Sequence, residues 1–129
     1  MKALVKDVLF GVVIFVVVMI MEFLVTLPFG TQDVWALPEA EYRQYLNLEF
    51  LLTAIPAGLV TYLFARWQKP DQKAGWRKAW TWMLVTFVMY FAIGIGNGNL
   101  EDIFGVLGIY VLLAFMFAGP LVYVLFNQD

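Results

Sequence analysis

Apolar residues run along this chain in four long blocks, separated by short polar stretches rich in helix-breaking residues. The first block covers residues 8–27 and stops at "LPFGTQD", where Pro28 and Gly30 oppose continuation of a helix. At about 1.5 Å per residue such a segment reaches roughly 30 Å, the thickness of a bilayer core. The stretch "LPEAEYRQYLNLEF" then places Pro38 at a first helical position, with Glu39 and Glu41 in the first turn, where the helix dipole favours anions. This predicts an outer helical extension over about 38–46, continuing into a second span over 46–65. Pro56 and Gly58 lie inside that span and predict a kink. The polar loop "RWQKPDQKAGWRK", residues 66–78, leads to a third span over 79–95. The turn "GNGNLED" leads to a fourth over 103–126, with Pro120 expected to bend its last turns.

The connections around Pro70 and Asn97 are short, which makes consecutive helices antiparallel neighbours. The predicted architecture is an all-α integral membrane protein: four transmembrane helices in an up-down-up-down antiparallel bundle, forming one membrane domain over residues 1–129. Composition agrees with the pattern, since 63% of residues are hydrophobic and 14% charged, against roughly 45–50% and about 25% in soluble domains. Lys2 and Lys6 ahead of an apolar core also suit a cleaved signal peptide, but no small-x-small cleavage pattern follows, so an uncleaved span is expected.

Charge sets the expected orientation. Lys2 and Lys6 precede the first span, and Arg66, Lys69, Lys73, Arg77 and Lys78 lie between the second and third, whereas the opposite side carries only Arg43. The positive-inside rule then puts both termini in the cytoplasm, in a plasma membrane of bacterial inner-membrane type. The outer side is acidic, with Asp33, Glu39, Glu41, Glu49, Glu101 and Asp102. Trp67, Trp76, Trp80 and Trp82 are expected at the inner interface and Trp35 at the outer one.

The chain contains no His, no Cys and no Ser. It therefore lacks the imidazole and thiolate ligands of haem, zinc and iron–sulfur sites, and the usual nucleophile and base pairs. No catalytic residues, no metal and no cofactor are expected, and an enzyme is the weakest class. The one firmly intramembrane charge is Glu22, about six residues before Pro28 and so in the outer third of its span. Aligning the outer ends of the four helices gives it Thr53, Tyr90 and Tyr110 as depth neighbours. These four residues form a candidate site for a cationic or hydrogen-bonding ligand, or for a proton; a purely structural carboxylate that fixes helix register is the competing interpretation.

Along the third span, Trp76, Trp80, Met83, Phe87, Tyr90 and Gly94 recur at three- and four-residue steps and share a face, as an aromatic wall or as ordinary packing. In layout the chain resembles the small multidrug resistance family, with four spans, a glutamate in the first and aromatic residues in the third. That resemblance implies a homo-oligomeric transporter of cations or small solutes; the long segment after Leu27 and the strong charge bias depart from it. Gly94, Gly96, Gly105, Gly108 and Gly119 are expected to allow close helix approach. The basic residues Arg66, Lys69, Lys73, Arg77 and Lys78 suit anionic membrane lipids or an acidic protein partner, not nucleic acid. The leading expectation is a small non-enzymatic subunit or regulator that binds a membrane or cytoplasmic partner; the alternative is the transporter.

Overall fold

A computed structural model describes residues 2–27 and 38–126. Among these residues the protein is all-helical, with α1 at Lys2–Thr26, α2 at Glu39–Gln68, α3 at Gln72–Asn97, a short α4 at Leu100–Phe104 and α5 at Leu107–Phe126. Helices α1, α2, α3 and α5 have 25, 30, 26 and 20 residues and are apolar enough to cross a membrane. Their length and composition are those of a multi-pass membrane protein. The expected interruptions at Pro28 and Gly30, and the residues Asp33 and Trp35, lie outside the described residues.

Local chemistry fixes the helix ends. Pro38 stands before α2 and its carbonyl accepts from the Tyr42 amide at 2.9 Å, with Glu39 and Glu41 in the first turn. Lys69 closes α2 in the left-handed conformation, and Asp71 starts α3 by accepting from the Ala74 amide at 2.7 Å. The polar loop predicted over 66–78 is thus only three residues long, because Asp71 caps early and the basic residues after it are already helical. Gly98, at φ 72°, ends α3; its amide reaches the Ile95 carbonyl, and the Asn99 amide reaches the Gly94 carbonyl at 3.0 Å. This paired bonding satisfies carbonyls that the helix end would otherwise leave open.

Cross-helix contacts establish direction and order. Asp7 meets Arg77 and Lys78, and Glu22 meets Tyr90, so α1 and α3 are parallel neighbours. Asn47 meets Gly108, and Thr61 lies against Gly119, so α2 and α5 are parallel neighbours as well. Phe10 of α1 packs on Phe64 of α2, and Gly75 of α3 lies against Val124 of α5, which makes those two pairs antiparallel. Around the bundle the order is α1, α2, α5, α3, with α2 and α3 meeting only marginally. The chain direction alternates as expected, but consecutive helices are not all neighbours. Small residues explain the difference: Gly58, Gly108 and Gly119 let α2 and α5 approach closely, and that seam holds α3 on the far side of α5.

The fourth span also starts later than 103. The helix is interrupted at Gly105, where an added Cβ would stand 2.6 Å from the Glu101 carbonyl oxygen and 3.2 Å from Arg43 Nη1. Arg43 therefore lies over bare backbone between α4 and α5. The core of the bundle includes Ile14, Val18, Ala54, Trp82, Ile109, Leu112 and Met116, each at most 1% exposed. Trp82 is thus a core residue and not an interfacial one, whereas Trp67, Trp76 and Trp80 are 69%, 41% and 52% exposed.

Candidate functional site

Glu22 is buried on the α1 face that also carries Asp7, Gly11, Ile14 and Val18. These positions recur at four- and three-residue steps, so one stripe of α1 points into the bundle along its whole length. The Tyr90 hydroxyl of α3 donates to Glu22 Oε1 at 3.3 Å. The Tyr90 ring is itself held edge-on by Phe15 and Phe50, with centroids at 5.3 Å and 5.5 Å. Phenyl rings from two helices thus fix the tyrosine that faces the carboxylate. Glu22 also interacts electrostatically with Glu49 of α2.

The structure places the four candidate residues unequally. Glu22 and Tyr90 are joined. Thr53 is fully buried, but its hydroxyl donates to the Glu49 carbonyl one turn earlier at 2.7 Å. Tyr110 is 49% exposed and donates to the Phe104 carbonyl at 2.6 Å, across the break between α4 and α5. That break explains its absence from the cluster: the Phe104 carbonyl has lost its helical partner, and the tyrosine supplies one. Glu49 is the neighbour that depth alignment missed, although its place one turn before Thr53 could have revealed it.

The aromatic stripe of α3 is divided in the same way. Trp76 and Trp80 pack on Phe117 of α5, with centroids at 6.0 Å and 4.9 Å, and Phe87 packs on Phe104 at 5.2 Å. Only Tyr90 of this stripe turns toward Glu22. Replacing Tyr90 by Phe should therefore lower the melting temperature, because a buried carboxyl loses its donor at a cost of about 1–3 kcal/mol. Replacing Tyr110 by Phe should stay within roughly 0.5 kcal/mol, as expected for an exposed position. Thermal melts of both variants in one detergent check the contrast.

A second polar cluster lies at the basic end of the bundle, which carries the N-terminal turn of α1 and the α2–α3 junction. Asp7 is 1% exposed, and its two oxygens accept from Arg77 Nε at 2.5 Å and Lys78 Nζ at 2.6 Å. Its backbone carbonyl accepts from the Trp82 indole at 3.1 Å, and the Lys78 ammonium lies 5.7 Å from the Trp82 ring centroid. Lys78 is itself buried. Of the five basic residues at and around the α2–α3 junction, two are therefore committed to an internal lock between α1 and α3, while Arg66, Lys69 and Lys73 remain exposed. Sequence reasoning passed over Asp7 because it stands among lysines; its register with Glu22 on the buried stripe was the available signal.

The acidic end has its own lock. Arg43 binds Asp102 at 2.9 Å and Glu39 at 3.4 Å, and the Asn99 amide donates to the Tyr42 hydroxyl at 2.8 Å. The predicted outer extension is thus tied down to the α3–α4 turn, with Glu39 and Arg43 paired one helical turn apart.

No protein-family model, curated protein or solved structure matches this chain. The layout resemblance to the small multidrug resistance family gains no support from these comparisons. Among the described residues, no group of three or more carboxylates is placed to hold a metal ion.

Proposed function

We propose that this chain is a small non-enzymatic membrane protein that acts as a subunit or regulator, binding a membrane or cytoplasmic protein partner through its basic end. One observation carries this reading: the division of charge between interior and surface. Asp7 is consumed by Arg77 and Lys78, and Glu22 by Tyr90, whereas Arg66, Lys69 and Lys73 are exposed and form no ion pair among the described residues. Three cations on one short junction, beside the exposed Trp67 and Trp76, suit an acidic protein surface close to lipid headgroups. A binding role also suits a chain without Ser, His or Cys, which lacks the commonest nucleophile and base pairs.

The orientation that goes with this proposal has the basic end and both termini in the cytoplasm of a bacterial-type plasma membrane. The natural absence of cysteine makes it testable without background. A Lys69→Cys variant should react with an impermeant maleimide only after cells are opened, and a Glu101→Cys variant should react in intact cells. The reverse pattern overturns the orientation.

A second reading, transport of a cation or small solute by a homo-oligomer, is favoured by the Glu22–Glu49 pair. Two interacting carboxyls in an apolar bundle are a natural seat for a proton or a cation. On that reading Glu22→Gln abolishes uptake in reconstituted vesicles; on the leading one it leaves partner binding intact.

A further inference from the structure

The basic end holds a recess of about 270 Å³ whose lining includes Lys6, Asp7, Gln68, Arg77 and Lys78. Four of these side chains carry hydrogen-bond donors, and the single carboxylate is already engaged by Arg77 and Lys78. With Lys6 counted, three cations face one anion, so the recess keeps an uncompensated positive charge. Arg77 remains 37% exposed despite its bond to Asp7. The Gln68 amide nitrogen is buried and has no hydrogen-bond partner among the described residues. A buried donor without an acceptor is costly, and here it lies beside surplus positive charge. Both features ask for an anion with several acceptor oxygens.

An apolar groove of about 430 Å³ runs along the neighbouring α1–α3 seam, between Leu4, Val8 and Val12 on one helix and Leu84 and Val88 on the other. The groove and the recess share a helix face on α3: Arg77, Thr81, Leu84 and Val88 follow at steps of four, three and four residues. On α1, Leu4 lies one turn from Val8 and is adjacent in sequence to Ala3, which lines the recess. The polar recess thus adjoins, at the basic end, an apolar groove along the α1–α3 seam whose lining suits a hydrocarbon chain.

We infer that the basic end and the α1–α3 seam form one binding site for an anionic phospholipid, with the headgroup phosphate at Lys6, Gln68 and Arg77 and one acyl chain along Leu4, Val8 and Val12. The charge of the recess selects an anionic headgroup over a zwitterionic one, because a choline group would meet two or three cations. Each nearby basic side chain adds modestly to such attraction, so the expected preference is about tenfold. This inference rests on the basic end lying at a membrane surface, as in the orientation proposed above, and is independent of any protein partner.

The test is lipid retention by the purified full-length protein, delipidated in mild detergent and offered phosphatidylglycerol or phosphatidylcholine of identical chains, read by native mass spectrometry. One phosphatidylglycerol per chain should be retained about tenfold over phosphatidylcholine. Lys6→Glu with Gln68→Glu should bring the two lipids to equal retention. Val8→Trp or Val88→Trp, which fill the groove from its lipid-facing side, should reduce retention of both lipids, with melting temperatures near that of the parent protein. Equal retention by the parent protein overturns the inference. So does a preference that survives Lys6→Glu with Gln68→Glu but vanishes when Arg66, Lys69 and Lys73 become Gln, since that assigns it to the exposed junction. Undiminished retention in both groove-filling variants overturns it too. Partner capture that fails while lipid selectivity persists would count against the protein-binding proposal alone.

Discussion

Replacing Asp7 by Ala should destabilise the bundle by about 3–5 kcal/mol, the range for breaking a buried ion pair by removing one partner. The reason is the position of the cations left behind. Lys78 is buried against Trp82, a core side chain with no exposure, so its ammonium would keep its desolvation cost and lose its counter-ion. Arg77 would keep partial access to water and relax outward. A second substitution sharpens the test. Asp7→Leu combined with Lys78→Met should recover much of the loss, because an apolar pair of similar volume carries no such penalty. Melting curves of the single and double variants in the same detergent supply the comparison. A single variant as stable as the parent protein would mean that the Asp7 lock contributes nothing to joining α1 and α3.

Gly119→Val should also destabilise the bundle, for a steric reason. A Cβ at position 119 would collide with Thr61 Oγ1 and would stand 2.8 Å from the Gly58 carbonyl oxygen. Thr61 is fully buried and its hydroxyl is already bonded to the Ala57 and Gly58 carbonyls at 3.2 Å and 3.0 Å, so it cannot swing aside without loss. The helices must separate, and overpacking of this kind typically costs about 1–3 kcal/mol or more. Gly96 is the internal control. It is helical and exposed, and nothing lies within 4 Å of its Cβ position. Gly96→Ala should therefore be neutral or stabilising by roughly 0.5–1 kcal/mol. If Gly119→Val melts with the parent protein, the close α2–α5 seam is not what sets the helix order.

Much of the fold was legible because membrane spans are written in long blocks with strong punctuation. Pro38 acts through one local hydrogen bond, so its meaning survives without knowledge of the partner helices, whereas the cap at Asp71, just as local, was hidden inside the polar loop expected over 66–78. Helix order was not legible. It depends on which glycines face one another across α2 and α5, and Gly58, Gly108 and Gly119 look alike in sequence whether they face a helix or lipid. The site was half legible for the same reason. Depth alignment brought Tyr90 to Glu22 correctly but could not tell which way Tyr110 points, because its direction follows from the break at Gly105 beneath Arg43. Arg77 and Lys78 counted as surface charge until Asp7, on the buried stripe of α1, was seen to take both.

This last point also determines how the proposed function should be probed. Altering Arg77 or Lys78 would disturb the lock with Asp7 and mix folding with binding. The exposed cations Arg66, Lys69 and Lys73 avoid that problem. The most direct measurement is stoichiometric capture of a protein partner from native lipid, its identity established and its binding rebuilt from purified components, compared between two variants. The account predicts full capture with Glu22→Gln and loss of capture when Arg66, Lys69 and Lys73 become Glu. Capture that survives the triple charge reversal but fails with Glu22→Gln would contradict it, and would move the function from the basic end to the buried carboxylates.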